Sequence, residues 1–176
     1  MRIISGKYRG MVLSNFAGDE IRPTADRVKE SLFNILSAKI AGARVLDLFC
    51  GSGNLGIECL SRGASHVHFN DFSKESIFVL NKNLARMRGE SFAVTTLDYK
   101  ACLSRVSEFD LIFIDPPYAK EFGADALKII AEGNILNGGG VAVYERDRNF
   151  AGEIPGLEQY DERKYGKTYL TFFKRT

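Results

Sequence analysis

The sequence predicts an α/β fold, built as a mostly parallel, doubly wound sheet with helices on both faces. From residue 43 onward, short apolar runs typical of strands alternate with helix patterns, the order expected of parallel strands joined by crossover helices. Two strand patterns follow each other directly near the C-terminus, which predicts an antiparallel edge strand. A loosely alternating N-terminal stretch precedes the sheet and predicts a β-hairpin extension.

The hairpin or ribbon is predicted over residues 1–20, in front of a single domain over residues 21–176. Apolar residues such as Ile3, Tyr8 and Val12 recur there, and Gly6 and Gly10 supply the turn points. At 176 residues and 45% hydrophobic, the chain is long enough for one well-packed domain and short for two.

The first helix is predicted just after Pro23, with Thr24 as its N-cap. One face of this helix is apolar, with Val28, Leu32, Ile35 and Leu36. Strands of the parallel part are predicted at residues 45–49, 66–70, 92–97, 111–114 and 141–144. Helices are predicted after the first, second and fourth of these strands, and the closing antiparallel pair at residues 159–164 and 169–173.

Cysteine content and hydropathy restrict the cellular setting. The three cysteines are an odd number without a C-x-x-C pair, which predicts free thiols in a reducing compartment and no zinc site. No apolar run approaches the length of a membrane span, and no signal-peptide core begins the chain. We therefore expect a soluble cytoplasmic protein and take a monomer as the default.

Basic residues are concentrated at the two ends of the chain. Arg2, Lys7 and Arg9 lie within ten residues that contain no acid, and five basic residues without an acid follow from Arg163 onward. Such ends on a nearly neutral chain are typical of a polyanion-binding surface. They also fit charges that serve only solubility.

Four aspartates follow or end the first four predicted strands: Asp47, Asp71, Asp98 and Asp115. Because ligands bind at the carboxyl ends of strands in open α/β sheets, all four are expected at the ligand-binding edge. Burying a carboxylate is costly unless it is paired, which favours a functional reason for the set. Aspartate is also a common turn former and helix N-cap, and that alternative is strongest for Asp98.

A glycine-rich turn joins the first strand to its helix. Residues 51–56 (GSGNLG) fit G-x-G-x-x-G, which lets the backbone approach a ligand and directs a helix N-terminus at an anionic group. Asp71, 20 residues after Gly51, is placed to hold ribose hydroxyls. The pattern suits a nicotinamide dinucleotide or another adenosine-containing ligand, but the chain leaves no room for a dehydrogenase's separate substrate domain.

Asp115-Pro116-Pro117-Tyr118 directly follows the apolar run at residues 111–114. The prolines stop the strand, and each holds the residue before it in an extended conformation. A carboxylate, fixed backbone acceptors and an aromatic ring are thereby placed at one strand end, where they can hold an exocyclic amino group and stack on its ring. The same residues also fit a proline-rich turn with an incidental aspartate.

These segments resemble the class I S-adenosylmethionine-dependent methyltransferases, with VLDLFCGSG at residues 45–53 as the cofactor loop and DPPY at 115–118 as the amino-methylating motif. Three further segments narrow the match: RIISGKYRG at 2–10, RPTADRVKE at 22–30 and LGIECLSRGA at 55–64. Together they are similar to the bacterial 16S rRNA guanine-N2 methyltransferase family. The resemblance covers nearly the whole chain and implies a Rossmann-like methyltransferase fold.

The resemblance implies a set of cofactor-binding residues for S-adenosylmethionine. Asp47, Gly51 and Gly53 would face its methionine moiety, and Arg22 and Thr24 would close over that end, although Arg22 also fits a surface arginine. The adenosine half would be held by Asp71 at the ribose diol, Phe72 against the adenine and Asp98 at the adenine amino group. Phe49 and Tyr99 are further candidates for cofactor binding.

The resemblance also implies the substrate contacts. Asp115 and the Pro116 carbonyl would accept hydrogen bonds from the guanine amino group, and Tyr118 would stack on a base splayed out of its RNA context. Positioning and charge placement then supply most of the rate, and no metal is needed. Ribosomal RNA of the small subunit would be contacted by Arg2, Lys7, Arg9 and Pro117.

Two other functions remain open at this point. The DPPY motif also suits a DNA or other RNA amino methyltransferase acting on adenine N6 or cytosine N4. A non-catalytic RNA-binding protein of the same fold would retain the motifs without turnover, and cofactor binding distinguishes it from an enzyme.

Overall fold

The computed structural model describes residues 1–16, 23–117 and 122–176, of which residues 23–25 are described by their backbone alone. Its centre is a seven-stranded sheet in the order β3-β2-β1-β4-β5-β7-β6. The strands are β1 (Arg44–Asp47), β2 (His66–Asn70), β3 (Phe92–Thr95), β4 (Phe109–Ile114), β5 (Leu136–Arg146), β6 (Leu157–Tyr165) and β7 (Thr168–Arg175). The first five are parallel, and β7 pairs antiparallel with both β5 and β6.

Five helices and one 3-10 turn (Ser37–Lys39) accompany the sheet. The helices are α1 (Pro23–Ile35), α2 (Asn54–Ser61), α3 (Lys74–Leu84), α4 (Tyr99–Leu103) and α5 (Phe122–Glu132). Within the described residues, no helix combines the length and the apolar content needed to cross a membrane.

Alternate residues of the central strands supply two separate apolar cores. Val45 of β1 and Phe113 of β4 face one side, where α1, α2 and α3 pack, whereas Leu46 and Ile112 face the other, where α4 and α5 pack. This alternation is what a sheet covered on both faces requires, because side chains point to opposite sides along a strand. The doubly wound α/β fold with an antiparallel C-terminal edge is therefore confirmed.

Every predicted sheet strand and the long helices are observed, although β5 begins at Leu136, five residues before its predicted start, and β1 ends at Asp47, two residues before its predicted end. Helix α4 was not predicted, because its five residues are too few to show a helical repeat. The prediction of Thr24 as an N-cap is wrong, since α1 begins at Pro23 and places Thr24 in its first turn. Proline is favoured at such a position because its fixed φ suits a helix and its missing N–H is not needed.

Residues 1–16, hereafter the N-terminal ribbon, fold back antiparallel through one bridge between Arg2 and Val12. The ribbon is not a detached extension, because Ile3 and Leu13 are buried in the core shared with α1, α2 and α3. The predicted domain boundary at residue 20 lies outside the described residues and stays a prediction.

Candidate functional site

The carboxyl edge of the parallel strands brings the predicted aspartates together. Asp47 is the last residue of β1, and its Cα partners in the neighbouring strands are Phe69 of β2 and Phe113 of β4. Asp71 and Asp115 follow just beyond those strands on either side of it. Asp98 lies farther out, beyond the end of edge strand β3.

Two of these carboxylates hold the glycine-rich turn from opposite ends. The backbone N–H of Gly51 donates to Oδ2 of Asp71 over 2.9 Å, and the N–H of Gly56 donates to Oδ2 of Asp47 over 2.9 Å. Gly53 has a φ of +86°, and a Cβ there would approach Leu80 Cδ1 to 2.4 Å. The turn thus requires glycine for its backbone conformation, and its shape is fixed by the two acids.

Burial raises the pKa of the Asp47 carboxyl to about 7, assisted by the negative charge of Asp71 and opposed by the hydrogen bond from Gly56. A cationic ligand beside Asp47 would restore its ionised form, because an opposite charge favours ionisation. This acid is therefore suited to a ligand with a positive group near the glycine turn.

Asp115 lies at the end of β4, directly before the two prolines. Its pKa is raised well above the ordinary aspartate value by burial and by the charges of Glu145 and Asp47. Pro116 is buried and Pro117 is exposed. Tyr118 lies outside the described residues, so its stacking role stays a prediction.

Asp47 and Asp115 line a cleft of about 600 Å³, hereafter the large cleft. Its walls include three predicted cofactor residues, Asp47, Phe49 and Gly51, together with Asp115 from the predicted substrate motif. The turn between β6 and β7 (residues 165–168) and Glu145 of β5 also line the cleft. Cofactor and substrate residues predicted separately therefore meet in one space.

Residues predicted for the adenosine half lie beside the large cleft, past the ends of β2 and β3. The Phe72 ring is 78% exposed, which is unusual for phenylalanine and leaves its face open to a planar ligand. Asp98 caps α4 by accepting a hydrogen bond from the Lys100 N–H over 2.9 Å, as the helix-cap alternative anticipated. Its second carboxylate oxygen makes no hydrogen bond to any described residue, so a ligand role also stays a prediction.

Tyr99 and the two residues near α1 fit the cofactor prediction less directly. The Tyr99 ring is buried between Phe49 and Phe122, and its hydroxyl donates to Asp125 over 2.7 Å. Tyr99 therefore supports Phe49 from behind, and contact of its ring with a cofactor is a prediction only. Arg22 and the Thr24 side chain lie outside the described residues.

Sequence reasoning missed Asn70, the last residue of β2. Its Nδ2 donates to the Leu48 and Leu97 carbonyls over 3.2 and 3.1 Å, and its Oδ1 accepts from the Thr95 hydroxyl. The side chain ties the segments after β1 and β3 together beneath the ligand-binding edge. An asparagine as the last residue of a predicted strand was the available sign of this role.

A buried ion pair also went unpredicted. Lys29 of α1 and Glu58 of α2 are both almost fully buried, with Nζ and Oε2 separated by 2.9 Å. Glu58 accepts hydrogen bonds from the backbone N–H groups of Ile4 and Ser5, whereas Lys29 donates to the side chain of Asn54. The pair therefore links the N-terminal ribbon to the first residue of the helix that follows the glycine turn.

The three basic residues predicted to contact RNA have different surroundings. Arg2 and Arg9 are exposed on the N-terminal ribbon and line a shallow cavity near Asp26 and Glu30 of α1. Lys7 forms an ion pair with Glu90 over 2.7 Å, which raises its pKa mainly through that hydrogen bond. Its charge is therefore partly compensated, and Arg2 and Arg9 are the stronger candidates.

The three cysteines are free, as predicted, and all three are buried. The described residues contain no group of three or more His, Cys, Asp or Glu side chains arranged to hold a metal ion.

Comparison with known proteins identifies the family. The model of the family described as "Conserved hypothetical protein 95" matches residues 1–174. The chain belongs to this family. It is 35% identical to Ribosomal RNA small subunit methyltransferase D of Haemophilus influenzae, over 85% of this chain and 80% of that protein. A Bacillus subtilis protein provisionally named as an rRNA methyltransferase is 37% identical over 99% of both chains.

A solved structure agrees with the sequence relatives. An Escherichia coli protein provisionally assigned as a methyltransferase superposes with a TM-score of 0.90 at 29% identity, covering 99% of this chain and 97% of that one. The Rossmann-like class I methyltransferase fold and the family resemblance are thus both confirmed.

Proposed function

We propose that this family member transfers the methyl group of S-adenosylmethionine to the exocyclic N2 amino group of a guanine in 16S rRNA of the small ribosomal subunit. The observation that carries the proposal is the position of Asp115 just past the end of β4, on the wall of the large cleft that the glycine turn also lines. The naming of the relatives as small-subunit rRNA methyltransferases supports the substrate class.

The large cleft fits S-adenosylmethionine in its donor groups and charge. The glycine turn would adjoin the methionine end, and Asp47 offers a carboxylate for a positive group there. Asp71 can accept from a ribose diol through lone pairs that Gly51 and Ser73 leave unused, and Phe72 offers an open ring for the adenine. When bound, the cofactor supplies an electrophilic methyl group on a sulfonium.

Asp115 and the Pro116 carbonyl then orient the guanine amino group. Its nitrogen is a poor nucleophile because the lone pair is delocalised into the ring, and two acceptors that take its N–H bonds can turn that lone pair toward the methyl. The N2–methyl bond forms as the sulfur–methyl bond breaks, and the nitrogen passes its proton to Asp115 or water. The raised pKa of Asp115 makes it a better proton acceptor than an ordinary aspartate.

Arg2 and Arg9 of the N-terminal ribbon would contact rRNA phosphates, with Lys7 in a lesser part. Both arginines are exposed, and the ribbon on which they lie is fixed to α2 through Glu58. Pro117, an exposed residue of the DPPY motif, would face the RNA near the target base. Because one chain supplies every residue of the proposed site, we expect a monomer, acting in the cytoplasm where ribosomal subunits assemble.

The test is to incubate the protein with labelled S-adenosylmethionine and small subunits from a strain lacking the modification, and then to map the methylated nucleotide. The proposal expects one N2-methylguanine in 16S rRNA. Label on adenine N6 or cytosine N4, in DNA or another RNA, would favour an amino methyltransferase of different specificity. Cofactor binding without transfer to any of these would indicate a non-catalytic RNA-binding protein.

A further inference from the structure

A second cavity adjoins the Asp115–Pro116 segment. It has a volume of about 340 Å³ and is formed by Pro116, the first turns of α5, the end of β5 and the loop at residues 147–154. Pro116 lines this cavity but not the large cleft, whereas Glu145 lines both spaces. This small cavity is therefore adjacent to the point where the amino group would be methylated.

Aromatic rings and the guanidinium of Arg146 form part of its walls. Arg146 is stacked on Tyr144 and Phe150, with its guanidinium carbon 5.1 and 5.2 Å from the two ring centroids. Its Nε is buried, yet no hydrogen-bond partner for it exists among the residues that the structure describes. A buried donor without a partner is costly, which favours a ligand whose acceptor would complete the arrangement.

The charges of the cavity favour a neutral ligand over a phosphate. Its lining carries three basic and three acidic side chains: Lys128, Arg146, Arg148, Glu145, Asp147 and Glu153. A polyanion site would show an excess of basic groups, whereas a nucleobase needs both donors and acceptors beside flat apolar walls. The small cavity has this mixed character.

Sheet register and cavity lining bring two acceptors and one donor near Pro116. Ile114 of β4 pairs with Tyr144 of β5, so the next residues, Asp115 and Glu145, continue side by side beyond the pair. Arg146 follows Glu145 along β5 and leaves the strand on the opposite face, where it stacks on Tyr144. Glu145 and Arg146 both line the small cavity at the end of the strand. Guanine presents N2 and N1 as donors and O6 as an acceptor along one edge.

We propose that the small cavity receives the target guanine ring, with Glu145 accepting a hydrogen bond from N1–H and Arg146 donating to O6. This assignment rests on the proposed function and makes Glu145 and Arg146 the residues that select guanine. Adenine carries an unprotonated N1 and no amino group at C2, so Glu145 would oppose its N1 lone pair. Guanine therefore fits where adenine does not.

The experiment uses 2-aminopurine, which keeps the amino group at C2 but has an unprotonated N1 and lacks O6. Small subunits are reconstituted around 16S rRNA that carries either guanine or 2-aminopurine at the methylated position, and kcat/KM is measured for each. The intact protein is expected to prefer guanine by at least ~100-fold, since a site built to hydrogen-bond a base rejects an analogue that lacks those groups.

Glu145→Gln should lower kcat/KM on guanine ~100-fold and raise it on 2-aminopurine, because the glutamine amide can donate to the unprotonated N1. Arg146→Met should lower activity on guanine and leave 2-aminopurine unchanged, because that base has no O6. The matched control is Glu158→Gln on β6, an exposed acid outside both cavities that should leave both rates unchanged. Cofactor binding and thermal unfolding of each variant establish that it is folded.

Two failures can be told apart. If the intact protein methylates guanine but Glu145→Gln and Arg146→Met reduce both bases equally or neither, the assignment of the small cavity is overturned and the proposed function stands. If the intact protein transfers no methyl to guanine N2, the proposed function itself fails, and the assignment falls with it.

Discussion

The large cleft and the small cavity share the Asp115–Pro116 boundary but are built in different ways. Most predicted cofactor residues in the large cleft come from one continuous stretch, β1 and its glycine turn, whose acids and glycines depend on each other. The small cavity is assembled from Pro116, α5, the end of β5 and the loop after it, and its lining residues do not form one continuous motif. A site for a common cofactor can be one contiguous motif, whereas the surface that selects a base depends on the folded sheet.

Replacing Asp115, which lies at the boundary, should separate methyl transfer from cofactor binding most strongly. Asp115→Ala is expected to reduce methylation by about 10³-fold or more, because the amino group loses its orienting acceptor. Cofactor affinity should change by only a few-fold, since Asp71 and the glycine turn are untouched. Methyl transfer to small subunits and isothermal titration with S-adenosylmethionine measure the two effects. An equal loss in both would show that the two spaces do not act separately.

Removing the buried ion pair tests whether the N-terminal ribbon supports the large cleft. Lys29→Met leaves the buried Glu58 with Arg62 as its remaining cation, over 2.8 Å, and we expect the free energy of unfolding to fall by about 3 kcal/mol. Urea unfolding measures this, and cofactor affinity should fall in parallel because Lys29 also holds Asn54. Lys174→Met, which removes the exposed pair with Glu158, is the control and should cost less than about 1 kcal/mol.

The pKa of Asp47, about 7, predicts a pH dependence confined to the large cleft. Below that pH the carboxyl is neutral, so affinity for the cationic cofactor should rise ~10-fold as pH increases through 7 and a proton is released on binding. Conversely, stability of the free protein should fall between about pH 4 and 7, because the folded state holds the proton more tightly. Calorimetry in buffers of different ionisation enthalpy measures the number of protons released on cofactor binding, and Asp47→Asn should abolish this release.

The smallest expected effect concerns the RNA contacts on the N-terminal ribbon. Arg2→Gln with Arg9→Gln should raise KM for small subunits several-fold and lessen its salt dependence, with kcat preserved. Glu132→Gln, which removes one charge at an exposed position of α5, is the control. Deleting the ribbon would be a poorer test, because it also removes Ile3 from the core and the partners of Glu58. An unchanged KM would contradict the proposed footprint.

The fold was predictable because it depends on local patterns. The strands and long helices show alternation or one apolar face, and the aspartates mark strand ends that a parallel sheet must align. Helix α4 was not predicted because five residues are too few to show a helical repeat of apolar positions, although Asp98 was recognised as a candidate N-cap.

The unpredicted part of the site consists of contacts between distant segments. Arg62 is a partner of Glu58 four residues away, but nothing nearby in sequence reveals its other partners, on the N-terminal ribbon and α1. Likewise, nothing near Arg146 reveals that Pro116 and α5 complete a cavity beside it. These features follow from sheet order and helix packing, which the residue pattern does not specify at the level of side chains. Cofactor residues were accordingly easier to identify than those that select the base.

The anchoring of the N-terminal ribbon has a consequence for biosynthesis. Ser14 exchanges two hydrogen bonds with Asn83 of α3, which also donates to the Ser52 carbonyl in the glycine turn. The ribbon precedes α2 and α3 in the chain, so it has no docking partner during synthesis until both helices have been made and have emerged from the ribosome. Because domains fold as units during synthesis, the ribbon must wait for these later segments before it docks.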